Sequence, residues 1–175
     1  MQVSEQARQQ AAEVIAALQA RGWTLATGES LTAGLIASTL AEVPGCSDVL
    51  RGGVVAYQVD LKKQLLQVDD AALAHGVVSS QVAQALACGA ARTLGATVGV
   101  GSTGAAGPQA HDGAEPGTAW VAVCVQDPNG ESQVRTRALT PQESGNRAQV
   151  RTKATEAALE ELWTLFCANS THGGQ

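Results

Sequence analysis

With 175 residues, 45% of them apolar and only 15% charged, the chain can build one real hydrophobic core and is too apolar to stay disordered. A net charge of −5 without any Lys/Arg-rich run excludes the usual electrostatic footprint of direct DNA or RNA binding. No apolar run approaches the ~20 residues of a membrane helix. The polar start MQVSEQARQQ reads as neither signal peptide nor anchor, so the expected location is cytoplasmic, with no membrane partner.

Taken in chain order, Ala11, Val14, Ile15 and Leu18 recur at helical spacing between Ser4 and Ala20, and Gly22 can end that helix. Trp23–Thr27 reads as a short buried strand. Beyond the polar stretch Gly28-Glu29-Ser30-Leu31-Thr32, the residues Ile36, Leu40 and Val43 mark one face of a second helix that stops before Pro44-Gly45. Leu50–Gln58 is β-rich, with a bend or bulge expected at Gly52-Gly53. Asp60–Leu66 is a short helix carrying Lys62 and Lys63, and a helical turn follows over Asp69–Ala74. Ser79 can cap a helix with Val82, Ala85, Leu86 and Ala90 on its apolar face, closed by Gly95.

Ala96–Gly101 reads as another buried strand, followed by a long Gly/Pro-rich loop, a length at which loops in compact domains are usually functional. Thr118–Val125 and Gln133–Ala138 flank the turn Asp127-Pro128-Asn129-Gly130 as a hairpin. Gln133, Arg135 and Arg137 alternate along the second strand, so one of its faces is expected to be wet, as near a sheet edge. A last helix from about Ser144 to Cys167 carries Val150, Ala154, Ala158, Leu162 and Leu165 on one stripe. Helices interleaved with strands predict an α/β fold, a three-layer α/β/α sandwich around a mixed sheet. Residues 1–168 form a single domain on this reading, with 169–175 as a disordered tail.

The chemistry is narrower. His75, His111 and His172 share no ligand spacing, so no metal is expected. Cys46, Cys88, Cys124 and Cys167 lie dozens of residues apart and read as buried or idle thiols. The glycine-bearing stretch 28–34 is neither G-x-G-x-x-G nor a P-loop, which disfavours hydride and phosphoryl transfer. A strand-to-helix junction still presents outward N–H groups suited to an anion. Ser30 there is open to two readings: an N-cap, or an exposed nucleophile beside amides that receive developing charge. A lysine base would have to lose its charge, which burial promotes. Lys62 is the candidate, against the alternative of two solvated helix lysines.

The motifs also carry a resemblance. GESLTAG (28–34) resembles the A-E-S-C-T-G-G signature of the CinA carboxy-terminal domain family, which includes nicotinamide mononucleotide deamidases. The likeness continues in order through 51–68, 75–83, 102–123 and 144–163. It implies an amidohydrolase converting nicotinamide mononucleotide to nicotinic acid mononucleotide and ammonia, without a cofactor. By position, Ser30 corresponds to the nucleophile and Lys62 to the general base, with Tyr57 assisting proton transfer. Thr32 and Gly34 of the signature, and Thr103, Gly104, Gly107 and Pro108 of the later loop, are expected around the nucleotide. Arg147 suits a 5′-phosphate, with Arg151 one turn further on the same helix face. Helix-start amides would hold the oxyanion. The resemblance also implies a homo-oligomer, a dimer or higher, with a small-molecule nucleotide as substrate, while the acidic charge balance argues against nucleic acid as a direct partner.

The chain departs from the family pattern at Leu31, Ala33, Gln58-Val59 and Gln109-Ala110. Those changes keep open an alternative: a paralogue that binds a nucleotide or a protein partner without turnover, linked to competence or the DNA damage response.

Overall fold

Five strands form one mixed sheet in the order β2-β1-β3-β4-β5, in a computed structural model that describes residues 2–126, 132–141 and 145–168. The strands are β1 (Leu25–Glu29), β2 (Leu50–Val55), β3 (Val98–Gly104), β4 (Ala119–Val125) and β5 (Gln133–Leu139). The first three run parallel; β4 is antiparallel to β3, and β5 to β4. The helices are α1 (Glu5–Ala20), α2 (Leu35–Ala41), α3 (Val59–Leu66), α4 (Asp70–Leu73), α5 (Ser80–Leu94) and α6 (Arg147–Phe166). One apolar cluster joins α1, α2 and α6 to one face of the sheet, and two smaller clusters join α3, α4 and α5 to the other. This is the expected α/β sandwich. The turn at 127–130 and the tail from 169 lie outside the described residues.

Element ends follow local chemistry. Ser4, Ser79 and Asn146 each cap a helix through the side chain, Asn146 as part of a capping box with Gln149. Gly95 ends α5 in the left-handed conformation. In the β1/β2 pair Leu25 faces Leu50 and Ala26 already faces Gly52, so the expected irregularity falls at Arg51, with Gly52 at φ 148°. Strand β3 extends three residues beyond its sequence-based end, because Ser102, Thr103 and Gly104 pair with Val121, Trp120 and Ala119. The outer strand β5 is indeed an edge, yet Arg135 and Arg137 are not simply wet. They pair with Glu161 and Glu160 of α6.

The reading of four idle thiols is corrected. Cys88 of α5 and Cys124 of β4 form a disulfide with their Cα atoms 5.4 Å apart. The helix lies across the strand, so a pair separated by 36 residues becomes adjacent. Cys46 and Cys167 remain free. Among the described residues no helix is long and apolar enough to cross a membrane.

Helix α5 sits unusually low on the sheet. A Cβ at Gly28 would lie 2.6 Å from the Leu86 carbonyl oxygen, and one at Gly99 or Gly101 would lie 1.9 or 2.2 Å from the carbonyl of Ala87 or Ala83. On the helix itself, a Cβ at Gly89 would meet the Leu66 carbonyl at 2.0 Å. Missing side chains therefore let backbone pack on backbone and place α3, which carries Lys62. Helix propensity alone favours Ala over Gly by about 1 kcal/mol. The backbone clash decides the sign here, because neither main chain can move freely. Gly89→Ala is expected to lower stability by about 1–3 kcal/mol, read from the urea midpoint at constant slope.

Candidate active site

The parallel strands β1, β2 and β3 end at one rim, and each delivers site residues there. Ser30 follows β1, Ala56 and Tyr57 follow β2, and Thr103 and Gly104 close β3. Crevices outside the carboxyl ends of parallel strands are where open α/β sheets bind ligands. The cavity at this rim has a volume of about 270 Å³ and is bounded by Ser30, Leu31, Tyr57, Val77, the 103–111 segment and Arg147.

The turn bearing Ser30 is held from several sides. The Ser30 amide donates to the Ser102 carbonyl at 3.0 Å, and the Ala33 amide to the Ser30 carbonyl at 3.1 Å. Arg151 donates from Nε to the Leu31 carbonyl and from Nη2 to the Thr32 carbonyl, each at 2.9 Å. Beneath the turn lies Glu29, fully buried. Its carboxylate accepts from the hydroxyls of Thr27 (2.9 Å) and Thr32 (2.7 Å) and from the amides of Gly34 (2.9 Å), Ile36 (3.1 Å) and Ala37 (2.9 Å). Thr32 Oγ1 also shares a 2.7 Å hydrogen bond with Ser102 Oγ.

This settles one open reading and corrects two expectations. Ser30 is not the N-cap of α2; that position is Gly34, at φ 92°, without a side-chain cap bond. The opening amides of α2 are not free for an oxyanion either, because Glu29 already occupies them. A helix start attracts an anion, and here the anion is the protein's own. Thr32 and Gly34, expected at the substrate, instead belong to this internal network and lie outside the cavity lining. Ser30 remains at the surface of the cavity, 8% exposed.

Lys62 and Lys63 have opposite fates. Lys63 is exposed and pairs with Asp70. Lys62 is fully buried, and its ammonium donates to the carbonyls of Ala56 (2.9 Å) and Tyr57 (2.6 Å). Burial lowers its pKa from 10.5 to about 8, since desolvation penalises the charged form. Ser30 Oγ and Lys62 Nζ share no hydrogen bond among the described residues.

Across the cavity mouth, Arg147 donates from Nη1 to the Gly107 carbonyl and from Nη2 to the Tyr57 hydroxyl, both at 2.8 Å. Tyr57 thus enters the site twice. Its carbonyl holds Lys62, while its hydroxyl, on a side chain that leaves the residue 48% exposed, meets Arg147. Thr103 lines the cavity but spends its hydroxyl on the Val77 carbonyl at 2.7 Å. Gly104 and Gly107 line it as well.

Of the residues singled out from sequence, the structure therefore gathers Ser30, Tyr57, Thr103, Gly104, Gly107, Pro108 and Arg147 around one cavity. Lys62 lies beneath Tyr57. Arg151 does not share the role expected beside Arg147; it clamps the Ser30 turn. Three participants escaped sequence reasoning: Glu29, Val77 and His111, the last at the exposed rim. A carboxylate in the polar stretch directly after a buried strand was the available signal for Glu29. Nothing local marks the other two. Among the described residues no group of three or more His, Cys, Asp or Glu side chains gathers as a metal site would require.

Comparison with known proteins bears on the family and the fold. The family model described as "CinA C-terminal domain" matches residues 7–166. The chain is 47% identical over 151 residues to a CinA-like protein of Anaeromyxobacter dehalogenans, covering 85% of this chain and 35% of that one. A CinA-like protein of Frankia casuarinae is 40% identical over 148 residues, covering 84% and 33%. The chain spans about a third of the length of the curated relatives it matches. Among solved structures, the competence/damage inducible protein CihA from Agrobacterium tumefaciens superposes with a TM-score of 0.84 at 30% identity, covering 94% of this chain and 98% of that one. A CinA superfamily protein from Escherichia coli superposes at 0.80 and 27% identity, covering 94% of both chains.

The Ser30 turn also shows what one departure from the family signature costs. Ala33 stands at φ 51°, a left-handed conformation that costs a non-glycine residue about 1–2 kcal/mol. Returning glycine removes that strain and restores about 0.4–1 kcal/mol of unfolded-state entropy. Ala33→Gly is therefore expected to raise stability by roughly 0.5–1 kcal/mol, visible as a higher urea midpoint.

Proposed function

The chain belongs to the CinA C-terminal domain family, and on that premise we propose that it is an amidohydrolase releasing ammonia from nicotinamide mononucleotide through a Ser30–Lys62 acyl-enzyme mechanism. One observation carries the reading: a fully buried lysine, its pKa brought down to about 8, lies under the strand end whose tyrosine shares the cavity with Ser30. Burying a cation in a fold is costly unless it is well paired. Lys62 has only two neutral carbonyls, an arrangement suited to a base that must become uncharged.

A neutral amine retains two N–H bonds and one lone pair. The carbonyls of Ala56 and Tyr57 accept the two N–H bonds, which leaves the lone pair at the remaining tetrahedral position for the Ser30 proton. The serine and lysine need to approach only when substrate is bound, as catalytic hydrogen bonds commonly tighten in the complex. Ser30 Oγ then bonds to the carboxamide carbon, and its proton passes to Lys62. The oxyanion cannot use the opening amides of α2. The Leu31 amide, on a residue that lines the cavity, carries no hydrogen bond among the described residues, and we assign the oxyanion to it. Collapse breaks the C–N bond as Lys62 returns the proton and ammonia leaves. Water then cleaves the acyl ester and regenerates Ser30, giving the carboxylic acid. Arg147 closes the far side of the cavity, where a guanidinium can exchange its Gly107 and Tyr57 partners for a phosphate.

Ammonia release from nicotinamide mononucleotide is expected from the wild-type protein and absent from Ser30→Ala and Lys62→Ala. Equal rates in all three would remove the mechanism. Because protonated Lys62 cannot accept the serine proton, kcat/KM is expected to climb roughly tenfold per pH unit below about 8 and level off above it. A flat profile from pH 6 to 9 would exclude Lys62 as the base. Arg147→Ala is expected to raise KM for the mononucleotide by about 10-fold or more while leaving the unphosphorylated riboside little affected. Equal losses for the two would place the phosphate elsewhere.

A further inference from the structure

We propose that Glu29 is the positioning residue of this site, fixing the Ser30 turn through its side chain and the Lys62 seat through its main chain; the inference rests on reading Ser30 and Lys62 as nucleophile and base. The carboxylate binds the turn at both ends. It accepts from Thr27 on β1 and from Thr32, Gly34, Ile36 and Ala37 beyond Ser30. Residues 30–33 are thus a short arch closed over one buried acidic group. Thr32 passes the constraint on to Ser102, whose carbonyl holds the Ser30 amide. On the opposite side, the Glu29 carbonyl accepts from the Ala56 amide at 2.9 Å, and the Ala56 carbonyl accepts from Lys62.

A carboxylate carries no donor hydrogen of its own and accepts at both oxygens, so Oε1 takes two of the five donors and Oε2 shares its lone pairs among the other three. Glutamine has the same shape but offers one accepting oxygen. Its amide hydrogens would face N–H groups of α2, and the arch would relax. A displacement of about 1 Å at a nucleophile costs on the order of 100-fold in rate. The cavity wall at Gly104 and Gly107 and the Arg147 latch are not bonded to Glu29, so ground-state binding should survive. A kcat that falls per folded molecule, with the folded fraction taken from the urea transition, therefore separates positioning from a general loss of structure, which lowers apparent kcat at constant KM only through the folded fraction.

The test uses the full chain as wild type, Glu29→Gln and Thr32→Val. Each is followed by ammonia release from nicotinamide mononucleotide, and by labelling of Ser30 with a fluorophosphonate ester read from the intact mass. In labelling, an Oγ–P bond forms as fluoride leaves, so this arm needs no natural substrate. Glu29→Gln is expected to unfold cooperatively in urea, to label at least about tenfold more slowly, and to lose about 100-fold in kcat with KM within about twofold. A folded Glu29→Gln that labels and turns over like wild type overturns the proposal. If Glu29→Gln does not fold, Thr32→Val decides, because it cuts the link to Ser102 while leaving the α2 amides bonded to Glu29. It is expected to label at least about fivefold more slowly, and wild-type labelling overturns the proposal. A wild type that labels at Ser30 yet releases no ammonia removes the substrate reading alone, and the labelling arm still judges Glu29. A wild type that does not label removes both.

Discussion

A carboxylate with no exposed surface, Glu29, sits where β1 hands over to α2, and the geometry of the surrounding site depends on how its charge is accommodated. Leaving such a group unpaired in the interior would be prohibitive. The chain supplies five donors, three of them the opening amides of α2, which also carry the positive end of the helix dipole. The short helix α2 gains a cap that no neighbouring side chain provides, and the turn between acid and helix loses its freedom. The same interaction settles a functional matter by exclusion. A helix start at the end of a parallel strand would ordinarily be the first place to seat a phosphate, and here it is filled from within.

Lys62 is the second buried charge, and it is treated in the opposite way. Glu29 is satisfied on every side; Lys62 meets two neutral carbonyls and loses part of its basicity as a result. The contrast is informative. The carboxylate is surrounded by matching donors, whereas the lysine is desolvated and has fewer acceptors than its three donor hydrogens. The two are joined through the main chain by Ala56, which donates to the Glu29 carbonyl and accepts from Lys62.

Positive charge at the site is divided along α6. Arg151 is spent on the carbonyls of Leu31 and Thr32 and belongs to the scaffold. Arg147, one turn nearer the helix start, bridges Gly107 and Tyr57 at the cavity mouth. Its partners there are a carbonyl and a phenol, weaker acceptors than an anion. Two arginines on one helix face thus do different work, set by what lies opposite each.

The resemblance of several motifs to one family implied the segments that meet at the cavity, and the amino-acid sequence by itself determined the alternation of helices and strands, the α/β sandwich, the caps at Ser79 and Gly95 and the irregularity near Gly52. These follow from apolar periodicity and from turn and cap chemistry within a few residues, which is all that local spacing records. Only the tertiary structure decided which lysine is buried, that Glu29 and not Ser30 serves the start of α2, that Arg151 clamps a turn, and that Cys88 faces Cys124. Each of these depends on what lies across a gap of many residues, on a sheet whose glycines let a helix settle onto its backbone. Burial and pairing are properties of that assembled neighbourhood, and no window of sequence contains it.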